Sequence, residues 1–233
     1  MKNQDAASGN AATRSGDHEA LLDTFLDDHA EWQRWRTWSD ETTHAVHESL
    51  CLRAELVHEP EPYTPVWRFA VYASPVGARL WHAAASRTTP TGIVDALLRS
   101  LAIHAAEYPD MDSPGDEARA GATRPLADSG WTPAPEAPGW VRWRPADDAF
   151  FLRNDQLADS TTDTPAAWVL SGPDRHRARW TITLSATAPT TALADVTEAL
   201  ADHEALLRRG TAAPSPVRTP PQPPTPQHKR RPR

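Results

Sequence analysis

The chain has 233 residues, of which 39% are hydrophobic, with 23 prolines, ten tryptophans and a single cysteine. Its formal net charge is −7. One cysteine excludes an internal disulfide, and an acidic balance argues against a broad phosphate-binding face.

Residues 1–16 are small and polar with no apolar run, unlike a secretory signal. No stretch approaches the roughly 20 apolar residues of a membrane span. A reducing cytoplasm is therefore the expected setting, with no membrane partner. Residues 17–106 should form a helix and a first structural unit, and residues 131–209 a second unit.

The first helix starts at Asp17, a reasonable N-cap, and carries Leu21, Leu22, Phe25, Leu26, His29 and Trp32 at helical spacing. Trp35 and Trp38 follow as it ends. Val46, Leu50, Leu52, Ala54 and Leu56 then fall on one face at period two, which predicts a strand. Trp67, Phe69 and Val71 predict the next. Ser74-Pro75-Val76-Gly77 reads as a turn, and a third strand carries Trp81, Ala83 and Ala85. Thr88-Thr89-Pro90 opens a helix with Ile93, Leu97 and Leu101 on its apolar stripe. Residues 107–130, rich in acids, prolines and glycines, read as a solvated linker.

The order then repeats. WHAAASRTTPTGIVDALLRSLAIH (81–104) and WTITLSATAPTTALADVTEALADH (180–203) align without a gap, 99 residues apart, with eight identities in 24 positions. Phe151-Leu152-Arg153 answers Cys51-Leu52-Arg53 at an offset of 100, and a short extra strand is expected at Trp140–Arg144. The shared residues have local tasks. Trp81 and Trp180 anchor strands, Thr88 and Thr187 cap helix starts, and Pro90 and Pro189 fit first turns. The predicted fold class is α+β: an N-terminal helix, then two tandem β-β-β-α units forming antiparallel sheet with helices on one face.

Residues 210–233 contain eight prolines and should be disordered or extended in polyproline form. This tail carries Arg218, Lys229, Arg230, Arg231 and Arg233 and no acid, so it is +5 and leaves −12 on the remainder.

Taken in order, TTHAVHESLCLRAELVHE, VYASPVGARLWH and TPTGIVDALL, then GWVRWRPADDAFFL and AAWVLSGPDRHRARWTITLS, resemble the actinobacterial, Streptomyces-type SPDY repeat family, a domain of unknown function. The resemblance covers roughly 18–208. It implies two units per chain and a bacterial cytoplasmic protein, and it implies no activity. The chain departs from the family's Ser-Pro-Asp turn at Ser74-Pro75-Val76 and Gly172-Pro173-Asp174, and has Ala188 where the family favours Thr.

Several side chains invite chemistry. His44 and His47 are three apart on a strand, so they face opposite ways. His44, Glu48 and His58 are too far apart to hold a metal well, and no metal or cofactor is expected. Cys51 has no base within reach and reads as structural. His104 and His203 share a register, either as a symmetric pair or as histidines closing helix C-termini. Arg53 with Glu55, and Arg153 with Asp155, are either a repeated polar recognition point or same-face ion pairs. Among the tryptophans, Trp38, Trp131 and Trp140 lie beside predicted loops and are the candidates for exposure. There is no phosphate loop, dinucleotide turn, zinc spacing or serine elbow.

The sequence thus favours a non-catalytic module that binds another protein. The alternatives are a DNA-associated protein using Lys229, Arg230 and Arg231 in the tail, and a small-ligand binder or enzyme in a groove between the units.

Overall fold

The computed structural model describes residues 15–36, 41–58, 65–103, 115–146, 149–155, 167–173 and 179–211. Helix α1 (Ser15–Asp28) precedes five strands: β1 (Trp32–Arg36), β2 (Thr42–His47), β3 (Leu52–Val57), β4 (Trp67–Tyr72) and β5 (Arg79–Ala85). Helix α2 (Thr91–Ile103) ends this unit. The second unit has the same order: α3 (Asp116–Asp128), β6 (Thr132–Ala137), β7 (Trp140–Arg144), β8 (Phe151–Asp155), β9 (Trp168–Pro173), β10 (Arg179–Leu184) and α4 (Thr190–Thr211).

The α+β class and the antiparallel sheet follow the expectation; the β-β-β-α unit does not. Each unit is a five-stranded meander with a helix at either end, and the meanders join into one ten-stranded sheet ordered β1-β2-β3-β4-β5-β10-β9-β8-β7-β6. The helices lie side by side on one face, α1 on α2, α2 on α4 and α4 on α3.

Three local causes explain the difference. The alternation expected through Val46–Leu56 is broken at Leu50, which is 51% exposed with φ +62°, so the segment folds as two strands joined by a tight turn. Trp32, read as the end of the first helix, opens strand β1 and is buried at 4% exposure. The segment 107–130, expected as a solvated linker, contains α3, which buries Ala122, Thr123 and Leu126. Among these, the Thr123 hydroxyl turns back to its own helix and donates to the Arg119 carbonyl at 3.0 Å.

The join is a pseudo-twofold seam. Strand β5 pairs with β10 as Ala85–Ile182, Ala84–Thr183 and Ala83–Leu184. At the 99-residue offset Ala84 maps onto Thr183, so the local axis passes through that pair. The core lies between sheet and helices. Trp67, Phe69, Trp81 and Ala83 from one unit meet Trp168, Leu170, Trp180 and Ile182 from the other, under Leu97, Leu101, Leu193 and Leu200. Trp81 is 4% and Trp180 1% exposed, so both tryptophans of the sequence repeat point inward as expected. Thr187 does not cap α4; its hydroxyl donates across the seam to the Leu80 carbonyl.

The two units also differ in register. Trp67 pairs with Leu56 and Ala85, whereas Trp168 pairs with Asn154 and Leu184. Asn154 therefore holds the place of Leu56, and Phe151 that of Arg53. The sequence match of Arg53 with Arg153 is offset by two residues in space.

Candidate functional site

Period-two alternation sends one side chain of each strand pair into the core and the next to the opposite face of the sheet, which none of the described helices covers. That open face is rich in arginine. Among the described residues the ten strands carry nine arginines and three carboxylates, while the four helices carry thirteen carboxylates and five arginines, a balance of −8. Alternation puts six of the strand arginines, Arg53, Arg68, Arg142, Arg144, Arg153 and Arg179, on the open face with all three carboxylates, whereas Arg34 turns to the helix side and pairs with Asp23 of α1. The acidic net charge of the chain hides two layers of opposite sign.

The arginines of the open face rest on aromatic rings. The Arg53 guanidinium lies 4.8 Å from the Tyr72 ring centroid and donates to the Pro75 carbonyl at 3.1 Å. Arg142 and Arg179 lie 4.5 Å and 5.3 Å from the Phe151 centroid, and Arg153 lies 4.5 Å from that of Trp140. Such stacking fixes a long side chain in one pose, and Arg179 also donates to the Ala149 carbonyl at 3.4 Å. Glu136 holds the second-unit group together, 2.6 Å from Arg153 and 3.2 Å from Arg142. On the first unit Glu55 lies 3.4 Å from His44 and 4.0 Å from Arg68. Arg53 and Arg153 thus take cross-strand partners rather than the acids two residues along, Glu55 and Asp155. Trp35, on the edge strand β1, is 65% exposed.

The remaining candidates are dispersed. The His47 ring contacts the Ser49 hydroxyl at 2.9 Å, and His58 sits between Glu19 at 2.7 Å and Thr43 at 2.8 Å. Among the described residues no three histidines, cysteines or carboxylates come together as a metal site. The Cys51 thiol donates to the Ser49 carbonyl at 3.3 Å. His29 closes α1 through its Nδ1 and the Phe25 carbonyl at 2.8 Å. His203 packs edge-on to Phe150 with ring centroids 6.2 Å apart, and burial holds its pKa below the usual histidine range. His104, Trp38 and the tail residues Lys229, Arg230 and Arg231 lie outside the described residues. Trp131, a candidate for exposure, is 2% exposed and donates its indole N–H to Glu204 at 2.7 Å.

Sequence reasoning singled out Arg53 and Arg153 but missed Arg68, Arg142 and Arg179. The signal was present: apart from Lys2 and Lys229 and the histidines, every basic residue is arginine, and Arg68, Arg142 and Arg179 each stand next to a tryptophan of a predicted strand, Trp67, Trp143 and Trp180.

No helix among the described residues is long and apolar enough to cross a membrane. No curated protein and no solved structure matches the chain. The family model described as SPDY, domain of unknown function (DUF317), matches residues 48–106 and 134–206. Those two segments fall on the two units of the sheet, and the chain belongs to the SPDY family, with a copy of its domain in each unit.

Proposed function

We propose that this protein is a non-catalytic interaction module, and that an acidic surface of another protein docks on the open face of the sheet. The observation that carries this is the separation of charge between the layers, with six arginines against three carboxylates on the open face and a balance of −8 on the helices. Ten strands at a spacing of about 4.8 Å span roughly 43 Å, room enough for the about 800 Å² that each partner gives to a standard protein interface. Arginine, tyrosine and tryptophan are the side chains that dominate binding energy at such interfaces. The acidic helix layer repels a similarly charged partner and steers it toward the sheet.

The reading is tested with a photo-crosslinker placed at Arg68, whose side chain is 50% exposed, in extract of the source cell. A partner with an acidic surface should be trapped there, and not from the helix layer at Glu198. Its yield should fall with salt and in an Arg68→Glu, Arg179→Glu protein, and should survive nuclease. The same arginines suit phosphate, so nuclease-sensitive trapping, or retention on duplex DNA that those substitutions abolish, replaces the protein partner with nucleic acid.

A further inference from the structure

The two units differ sharply where their first helices meet the sheet. In the first, the space is filled. His18 stands edge-on to Trp67 with ring centroids 6.0 Å apart, its Nδ1 accepts the Trp67 indole N–H at 2.9 Å, and Leu22 and Leu56 are both 2% exposed. In the second, the buried stripe of α3 runs through Arg119, Thr123 and Leu126, at the same i, i+4, i+7 spacing as His18, Leu22 and Phe25 on α1. Asn154 takes the place of Leu56. Two apolar residues are thus exchanged for smaller or polar ones, and a cavity of about 340 Å³ opens above Trp168 and Trp143.

Its polar lining is unusual for a core position. Asn154 is 4% exposed, with only a long contact from its Nδ2 to the Ala167 carbonyl at 3.5 Å. The Arg119 side chain is 18% exposed, and its Nε is buried without a protein partner. Its Nη1 donates to Asp116 at 3.2 Å, and because the Asp116 side chain is 97% exposed, water screens that pair. A buried guanidinium N–H and a buried carboxamide cost stability unless something occupies them.

We propose that this cavity is a binding site for a small organic acid with a flat apolar body. Arg119 and Asn154 meet the carboxylate and the indoles of Trp143 and Trp168 enclose the ring. The volume lies at the lower end of the range for small-molecule sites, about 300–1,000 Å³. Guanidinium and amide donors match the in-plane lone pairs of a carboxylate. The site lies on the helix side of the sheet, away from the docking face, so neither reading depends on the other.

The test is titration of the full chain with phenylacetate and indole-3-acetate, and with their neutral amides, read by calorimetry and by thermal shift. The acids should bind saturably and raise the melting temperature, and each should bind about tenfold or more tightly than its amide. Arg119→Met should erase that preference. Asn154→Leu, which installs the first unit's residue, should fill the cavity, leave the fold intact by circular dichroism and abolish binding. No saturable binding of either acid to the wild-type protein overturns the proposal. So does equal affinity for acids and amides, or undiminished binding by a folded Asn154→Leu protein.

Discussion

The Ser86 hydroxyl accepts the Thr181 amide N–H at 2.9 Å, and the Ser86 amide N–H donates to the Thr181 carbonyl at 2.9 Å. The other unit returns the same pair of bonds. The Ser185 hydroxyl accepts the His82 amide N–H at 3.1 Å, and the Ser185 amide N–H donates to the His82 carbonyl at 2.9 Å. The serine shared by the two sequence copies is therefore the clasp at each end of the seam. It extends a ladder of only three residue pairs. Ser86→Ala takes away the hydroxyl that the Thr181 N–H uses. The expected cost is about 1–3 kcal/mol, with a fall in melting temperature of about 2–4 °C per kcal/mol. The double Ser86→Ala, Ser185→Ala protein should lose more than either single variant. A double variant that melts like wild type would mean that the seam is held by the helices alone.

Gly172 and Phe150 form a compensated pair. A Cβ on Gly172 would lie 2.6 Å from Cε1 of Phe150 and 2.6 Å from Cζ2 of Trp180. Gly172 pairs with Trp180 as Val71 pairs with Trp81, and Val71 in turn pairs with Leu52. The first unit thus fills this site with Leu and Val, the second with Phe and Gly. Gly172→Val should cost about 1–3 kcal/mol by overpacking. Adding Phe150→Leu should recover most of it, a favourable coupling that a double-mutant cycle in urea measures. Simple additivity would refute the pairing.

The sequence repeat was legible where burial sets the pattern. Trp81 and Trp180 face the core, and the helices after them run in the same register. The missed elements lacked that signal for physical reasons. Strand β1 continues the helical spacing of Leu22, Phe25 and His29 to Trp32, so the period alone places it on the helix. Strand β6 contains Pro133 and Pro135, which argue against a strand and are tolerated here because β6 is the sheet edge. Helix α3 has Gly121 and Pro125 within it and few apolar residues, because part of its inner face lines a cavity rather than a packed core. The charged face was hidden by counting charge over the chain rather than by element.

Acid should loosen the first unit. The Trp67 indole N–H donates to Nδ1 of His18, so the His18 proton sits on Nε2, facing the Arg87 carbonyl at 3.0 Å. Burial lowers the pKa of His18 below 6.5, and the bond to the Arg87 carbonyl opposes this only in part. Burial lowers that of His203 as well. A lowered histidine pKa means that the unfolded chain binds more protons than the folded one between the two values. Stability is then complete above about pH 6.5 and falls as the pH drops below it. Urea midpoints measured from pH 8 to pH 5 should show this decline, and His18→Gln should flatten it. A midpoint that rises on acidification would reverse the assignment.

Trp32 and Trp131 occupy equivalent places, each two residues before the position, Arg34 or Pro133, that lies two strands outward from the matched Ala54 and Leu152, yet they are held differently. Trp32 packs edge-on to Phe25 and His47, and its indole N–H has no protein acceptor. Trp131 donates to Glu204, a carboxylate 1% exposed that also takes Arg208 one turn along α4. Replacing either tryptophan with phenylalanine removes similar apolar area. Only at Trp131 does it strip a donor from a buried carboxylate, a loss of about 1.5–3 kcal/mol for a hydrogen bond to a charged group. Trp131→Phe should therefore lower the urea midpoint clearly more than Trp32→Phe. Trp131→Phe combined with Glu204→Leu should regain part of the loss, because a carboxylate that has lost its partner is worse than an apolar side chain in the same place. Equal effects of the two single variants would show that burial, and not this bond, fixes α4 to the second unit.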